Sequence, residues 1–240
     1  MSYHRFFVGH VLDVLKTLPD ESVHCVVTSP PYWGLRDYGL PSVSWPEIEY
    51  VPMPGLPPIR VPAWEGQLGL EQLPEMFVGH LVLIFREVRR VLRKDGTFWL
   101  NLGDSYAGSG GAHAEHHNNP GISNSWKRNG VPHYGALGMP QRYIAPTGLK
   151  EKDMVGIPWS VAFALQADGW WLRSEITWCK KAPLPESVKD RPTNATEKIF
   201  LFAKNKNYFY DYEAVREPSK GDYRNLSFTK GKTGAVKPNA

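Results

Sequence analysis

Apolar residues recur along the chain in two periods, and the period predicts the element. Within residues 73–92, Leu81, Ile84, Phe85, Val88 and Leu92 repeat at three- and four-residue spacing, with Arg86, Arg89, Arg90 and Arg93 between them. That is the stripe of a helix that buries one face. Asp95-Gly96 ends it, and residues 97–102 follow as an apolar run that predicts a buried strand. Residues 157–168 predict a second helix, with Pro158 in the first turn, where proline is tolerated. Residues 11–18 predict a short helix ended by Pro19-Asp20, preceded by a short strand over residues 5–9. Residues 23–28 are apolar and β-branched, as expected of a strand buried on both faces, and the run stops at Pro30-Pro31. Residues 170–179 and 198–203 predict two more strands, an antiparallel pair joined by a polar excursion. Helix, turn and parallel-type strand in succession predict the α/β class.

Three stretches lack either period. Prolines recur through residues 40–62 too often for a helix or a central strand, so a long loop is expected there. Residues 106–150 are polar and rich in Gly, Asn, His and Pro, and a loop of that length in a compact domain is usually functional or disordered. Its glycines at Gly108-Ser109-Gly110-Gly111 read as loop flexibility. Beyond Tyr210 the chain turns polar and basic, with neither period. The expected organisation is one domain over residues 1–240 with an insertion at residues 106–150.

Composition narrows this picture only modestly. With 240 residues, 42% of them hydrophobic and 22% charged, the chain suits one α/β domain with a sizeable core. Apolar runs such as residues 77–85 are too short to span a bilayer, so no membrane partner is expected. The start, Met1-Ser2-Tyr3-His4-Arg5, lacks the apolar core of a secretory signal, and a cytoplasmic location is expected. Cys25 and Cys179 give neither a disulfide framework nor zinc-ligand spacing and read as small buried hydrophobes. His113, His116 and His117 lie among Gly and Asn without cysteine or paired acids, so no metal is expected. The formal charge of +4 suits a nucleic-acid partner without selecting one.

The chemistry concentrates at Thr28-Ser29-Pro30-Pro31-Tyr32-Trp33, directly after a predicted buried strand. In open α/β sheets ligands bind beyond the carboxyl ends of strands. A Pro-Pro turn there would present a hydroxyl, backbone carbonyls and an aromatic face in fixed geometry. Alone, the tetrapeptide Ser-Pro-Pro-Tyr is equally a stiff turn that closes a strand.

Further blocks separate those readings. Leu18-Pro19-Asp20-Glu21-Ser22-Val23 leading into Val26-Val27-Thr28-Ser29-Pro30-Pro31-Tyr32-Trp33 resembles the opening of DNA amino-methyltransferases of the β arrangement, in which the catalytic motif precedes the cofactor motif. Residues 91–101 resemble that family's following helix and strand. Residues 174–178, 185–193 and 197–202 resemble its segment beside the target base. The resemblance implies a Rossmann-like, S-adenosylmethionine-dependent methyltransferase sheet, circularly permuted, with long inserted loops. It implies a site-specific enzyme of the restriction-modification type that flips a base of double-stranded DNA and methylates its exocyclic amine. Ser29, Pro30, Pro31 and Tyr32 take the catalytic role. The serine favours cytosine N4; adenine N6 is the alternative. His10, Asp13 and Thr28 fall where the cofactor is bound. Trp33 is expected to help Tyr32 stack on the base, and Arg191 and Thr193 to approach the flipped nucleotide or its phosphate. Lys127, Arg128 and Arg142, interleaved with Trp126, Tyr134 and Tyr143, make residues 106–150 the expected target-recognition part.

Two features depart from the pattern. Related enzymes often have Gly-Asp where this chain has Gly9-His10, and the nearest acid is Asp13. The family's glycine-rich cofactor loop, normally after the target-side block, is absent from these 240 residues. A complementing C-terminal segment or a homodimer is therefore an expected partner, and an inactive DNA-binding remnant is the rival reading.

Overall fold

A computed structural model describes residues 4–35, 37–107, 148–150, 152–183, 186, 188–217, 228–230 and 236–238. The chain divides into two units, Met1–Tyr208 and Phe209–Ala240. In the second, strands β9 (Phe228–Lys230) and β10 (Val236–Pro238) pair antiparallel, where no strand was expected.

The first unit is built around a four-stranded sheet. Its strands β1 (Val23–Thr28), β6 (Leu92–Leu102), β8 (Thr196–Ala203) and β7 (Trp171–Cys179) are adjacent in that order. β1 and β6 are parallel, and β8 runs antiparallel to both β6 and β7. Helix α2 (Pro74–Val91) leads directly into β6. Thus β1, α2 and β6 form the parallel β–α–β arrangement of the predicted α/β class. Helices α1 (Val11–Lys16) and α3 (Ile157–Ala167) both pack on α2. At the centre Phe98 lies 4.7 Å from Phe85, 5.1 Å from Trp170 and 5.5 Å from Phe202, measured between ring centroids.

Two of the α2 arginines are anchors. Arg86 grips the Asp168 carboxylate beyond α3, and Arg90 donates to the carbonyls of Leu15 and Leu18 behind α1.

Five sequence expectations need correction. Asp95-Gly96, expected to end the long helix ahead of a strand at residues 97–102, lies inside β6, which begins at Leu92. Residues 40–62 are not simply a loop: β2 (Val43–Trp45) pairs with β5 (Trp64–Gly66), and β3 (Ile48–Tyr50) with β4 (Ile59–Val61), all antiparallel. Pro46 and Pro62 fall at the two gaps of this nested ribbon, where a missing N–H interrupts the ladder. The ribbon sits close to α2 because Gly79 has no side chain; a Cβ there would lie 3.1 Å from Tyr50 and Val61. Residues 5–9 form no strand, and Phe6 and Val8 are 90% and 99% exposed.

β1 is not buried on both faces. Among the described residues it is an edge strand paired only with β6, and Val27 is 77% exposed. For the same reason Cys25 is exposed rather than buried, as is Cys179 at the end of the opposite edge strand. Among the described residues no helix is long and apolar enough to cross a membrane.

Because Phe98 is fully buried at the meeting point of helix and sheet, Phe98→Ala should lower unfolding free energy by about 3–5 kcal/mol in urea titrations. A loss below about 1 kcal/mol would place the centre of the core elsewhere.

Candidate active site

Residues that leave the carboxyl ends of β1 and β6 meet because the two strands are parallel and in register. Thr28 pairs with Leu100, so the turn after Thr28 comes alongside Asn101 and the Gly103–Ser105 segment. The Asn101 amide donates to the Tyr32 hydroxyl and to Glu197 Oε2, both at 2.8 Å. The Tyr32 hydroxyl donates to the same carboxylate oxygen at 2.8 Å. Lys180, just past β7, donates to the other oxygen of Glu197. The Ser29 hydroxyl donates to the Tyr32 oxygen at 3.3 Å. With its proton spent on Tyr32, exposed Ser29 is left with lone pairs to offer.

The electrostatics follow from this chain of bonds. Burial pushes the Tyr32 phenol up to about 12; the bond from Ser29 opposes the shift and Glu197 reinforces it. Tyr32 therefore stays protonated through neutral pH and keeps donating to Glu197. Burial alone would raise the Glu197 carboxyl, but hydrogen bonds from Lys180, Asn101 and Tyr32 outweigh it and hold it below its usual range. Asn101 Oδ1 is buried and has no hydrogen-bond partner among the described residues.

Packing fixes the turn from the other side. The Tyr32 ring lies against Gly103, where a Cβ would stand 2.6 Å from Cε2. The Ser105 hydroxyl donates to the Trp33 carbonyl at 2.7 Å. Next to it, the Asp104 carboxylate accepts from the backbone N–H groups of Gly156 and Ile157, capping α3 from outside the helix. Burial raises the Asp104 carboxyl, against the pull of those bonds.

The expected site residues are placed unevenly. Ser29, Pro30, Pro31 and Tyr32 form one turn, with Ser29 exposed and the others partly so. Trp33 corrects the expectation of a base-stacking ring: it is 2% exposed and its indole donates to the Glu71 carbonyl, so it anchors the turn from within the core. Thr28 ends β1 and is half-buried. His10 precedes α1, with Nδ1 3.9 Å from the exposed Asp13 carboxylate and its ring edge-on to Trp45. Arg191 lies 3.9 Å above the Tyr106 ring and donates to Glu186, while Thr193 is exposed. Lys127, Arg128 and Arg142 lie outside the described residues, as do the glycine cluster and the three histidines.

Asn101, Gly103, Ser105, Lys180 and Glu197 were not anticipated. The available signal was a polar residue in an apolar strand: Asn101 in Phe98-Trp99-Leu100-Asn101-Leu102, and Glu197 before Ile199-Phe200-Leu201-Phe202. A separate cleft of about 680 Å³ lies at the opposite ends of the strands, where Asp20, Asp168 and Glu21 pair with Arg90, Arg86 and Lys204.

The chain is similar to three curated Type II methyltransferases. M.XycI of Xanthomonas campestris pv. cyanopsidis is 47% identical over 216 residues, 90% of this chain and 59% of that protein. M.Cfr9I of Citrobacter freundii is 45% identical over 91% of this chain and 61% of its own length. M.SmaI of Serratia marcescens is 41% identical over 90% and 61%. The chain thus spans about three fifths of the length of these relatives. Among solved structures, the cytosine-N4-specific PvuII DNA methyltransferase matches 90% of this chain and 59% of its own, at 19% identity and a TM-score of 0.48. A Thermus thermophilus protein solved with S-adenosyl-L-methionine matches 90% and 61%, at 20% identity and a TM-score of 0.49. The sequence profile described as DNA methylase matches residues 23–236, from the first sheet strand to the final hairpin, and the chain belongs to that family.

Proposed function

We propose that this chain supplies the target-base side of a site-specific Type II DNA methyltransferase that methylates the N4 amine of cytosine in duplex DNA, with S-adenosylmethionine as donor. The observation that carries the reading is the oriented Ser29 hydroxyl, exposed at the end of β1 and tied through Tyr32 to Glu197 and Asn101.

The exocyclic amine of a base is a poor nucleophile because its lone pair is delocalised into the ring. The Ser29 oxygen and the Pro30 carbonyl accept its two hydrogens and draw the nitrogen toward a tetrahedral shape. So held, the nitrogen would form its bond to the methyl carbon as the donor's carbon–sulfur bond breaks with its electron pair left on sulfur, and the surplus N–H proton would pass by way of the exposed Ser29 oxygen to water; catalysis rests on positioning and electrostatics. Tyr32, locked by its hydroxyl, offers its ring to the flipped base. Bound S-adenosylmethionine would supply a sulfonium-activated methyl group. His10, Asp13 and Thr28 are the residues here that would stand beside it, and they fit in part: Asp13 offers an exposed carboxylate, and His10 Nε2 is buried without a partner among the described residues. The edge of β1, which no second strand covers among the described residues, supports completion of the cofactor site by a complementing segment or a second copy.

The DNA reading draws support from cation–aromatic pairs at the ends of β7, β8 and α3. Lys180 lies 5.9 Å from the exposed Trp178 ring, and Lys198 lies 6.0 Å from Trp159. With Arg191 and Thr193, they would follow the DNA backbone near the target nucleotide. Lys127, Arg128 and Arg142 extend this reading to residues 106–150.

Labelled methyl transfer to DNA, with and without a polypeptide completing the length of the relatives, followed by nucleoside analysis, should yield N4-methylcytosine. N6-methyladenine would move the assignment to adenine, and no product in either case would leave a DNA-binding remnant. Ser29→Ala should lower kcat by about 100-fold with DNA affinity nearly unchanged, and a wild-type rate would remove Ser29 from the mechanism. Gly103→Ala should displace the Tyr32 ring and lower kcat while the protein remains folded by circular dichroism.

A further inference from the structure

The outer side of the catalytic turn rests on a second turn, residues 67–71. Gly34 N–H donates to the Gly69 carbonyl at 2.8 Å, and the Trp33 indole donates to the Glu71 carbonyl at 2.9 Å. Gly69 has φ +95°, and a Cβ there would lie 3.0 Å from the Tyr32 carbonyl oxygen and 3.3 Å from Pro31. Any shift of residues 67–71 is therefore passed to Pro31, Tyr32 and Trp33.

What holds residues 67–71 is a carboxylate taken wholly out of water. Glu71 is 0% exposed; its Oε2 accepts from Gly69 N–H at 2.8 Å, and its Oε1 is bonded to His80 Nδ1 at 2.8 Å. His80, also 0% exposed, projects from α2 between two indoles, with centroids 4.6 Å from Trp45 and 5.6 Å from Trp64 and planes within 24° and 17°. A buried polar pair of this kind is a poor device for stability, since apolar side chains of similar volume often do as well. It does fix geometry: the carboxylate holds the Gly69 backbone directly, and helix and ribbon hold the carboxylate.

We propose that Glu71 and His80 are positioning residues for methyl transfer, acting through the residue 67–71 turn to fix Pro31 and Trp33 and hence the placement of Ser29 and Tyr32. This inference rests on the methyl-transfer reading of that turn.

The test replaces the pair without unfolding the protein. Glu71→Met/His80→Phe keeps volume and ring stacking but removes the acceptor for Gly69, and should retain the wild-type denaturation midpoint. In full-length protein labelled with 5-fluorotryptophan, the ¹⁹F resonance of Trp33, assigned from Trp33→Phe, should shift in the double variant. kcat should fall by about 100-fold with little change in KM for DNA. Glu71→Gln, whose amide can accept from Gly69 and face His80, should return the resonance and most of the rate. A folded double variant with an unmoved Trp33 resonance and wild-type kcat overturns the proposal, as does a rate loss that only tracks the unfolded fraction. A wild-type protein that is inactive even with the completing polypeptide counts against the functional reading alone, and the Trp33 resonance then decides the positioning role by itself.

Discussion

Val26, Val27 and Thr28 pair with Phe98, Trp99 and Leu100, and that parallel register is the constraint on which the site depends. It delivers two strand ends to one place at one height. A slip of one residue would turn Asn101 to the other face of the sheet and withdraw its amide from Tyr32. The antiparallel neighbour β8 contributes in the same way: Asn101 pairs with Ile199, and Lys198 with Leu102, which brings Glu197 at the mouth of the strand to the same cluster. Four strands end there, β7 through Lys180, and one carboxylate joins them.

Around that carboxylate the hydrogen bonds run in sequence. Glu197 accepts hydrogen bonds from Tyr32, Asn101 and Lys180, and the Tyr32 oxygen accepts one from Ser29. Each bond limits the freedom of the next, so a short hydroxyl at a solvent-facing position acquires a fixed direction without being buried. The glycines at Gly69 and Gly103 serve the same end by steric means, since each leaves room for the turn where a methyl group would not fit.

Much of this was legible in the sequence, for reasons that differ by element. The α2 stripe and the apolar runs of β6 and β8 are signals of period and length, and they survive translation into structure, although β6 starts at Leu92 and absorbs the Asp95-Gly96 pair expected to end the helix. The turn at Ser29–Tyr32 was found because prolines punctuate a strand. The ribbon at residues 43–66 was missed because its strands are three residues long and broken by the prolines that argued against them. The exposure of β1 was missed because an apolar run reports what a strand can bury, not what covers it. Asn101, Glu197 and Glu71 were missed because a single polar residue acquires meaning only from partners distant in the chain, as Tyr32 and Glu197 are.

The open side of β1 carries a consequence for the life of the chain. Among the described residues only β6 pairs with β1, and a short, hydrophobic strand margin of this kind is adhesive to extended peptides, another copy of the chain included. A segment laid along Val23–Thr28 would therefore shield the polypeptide from self-association as well as widen the sheet.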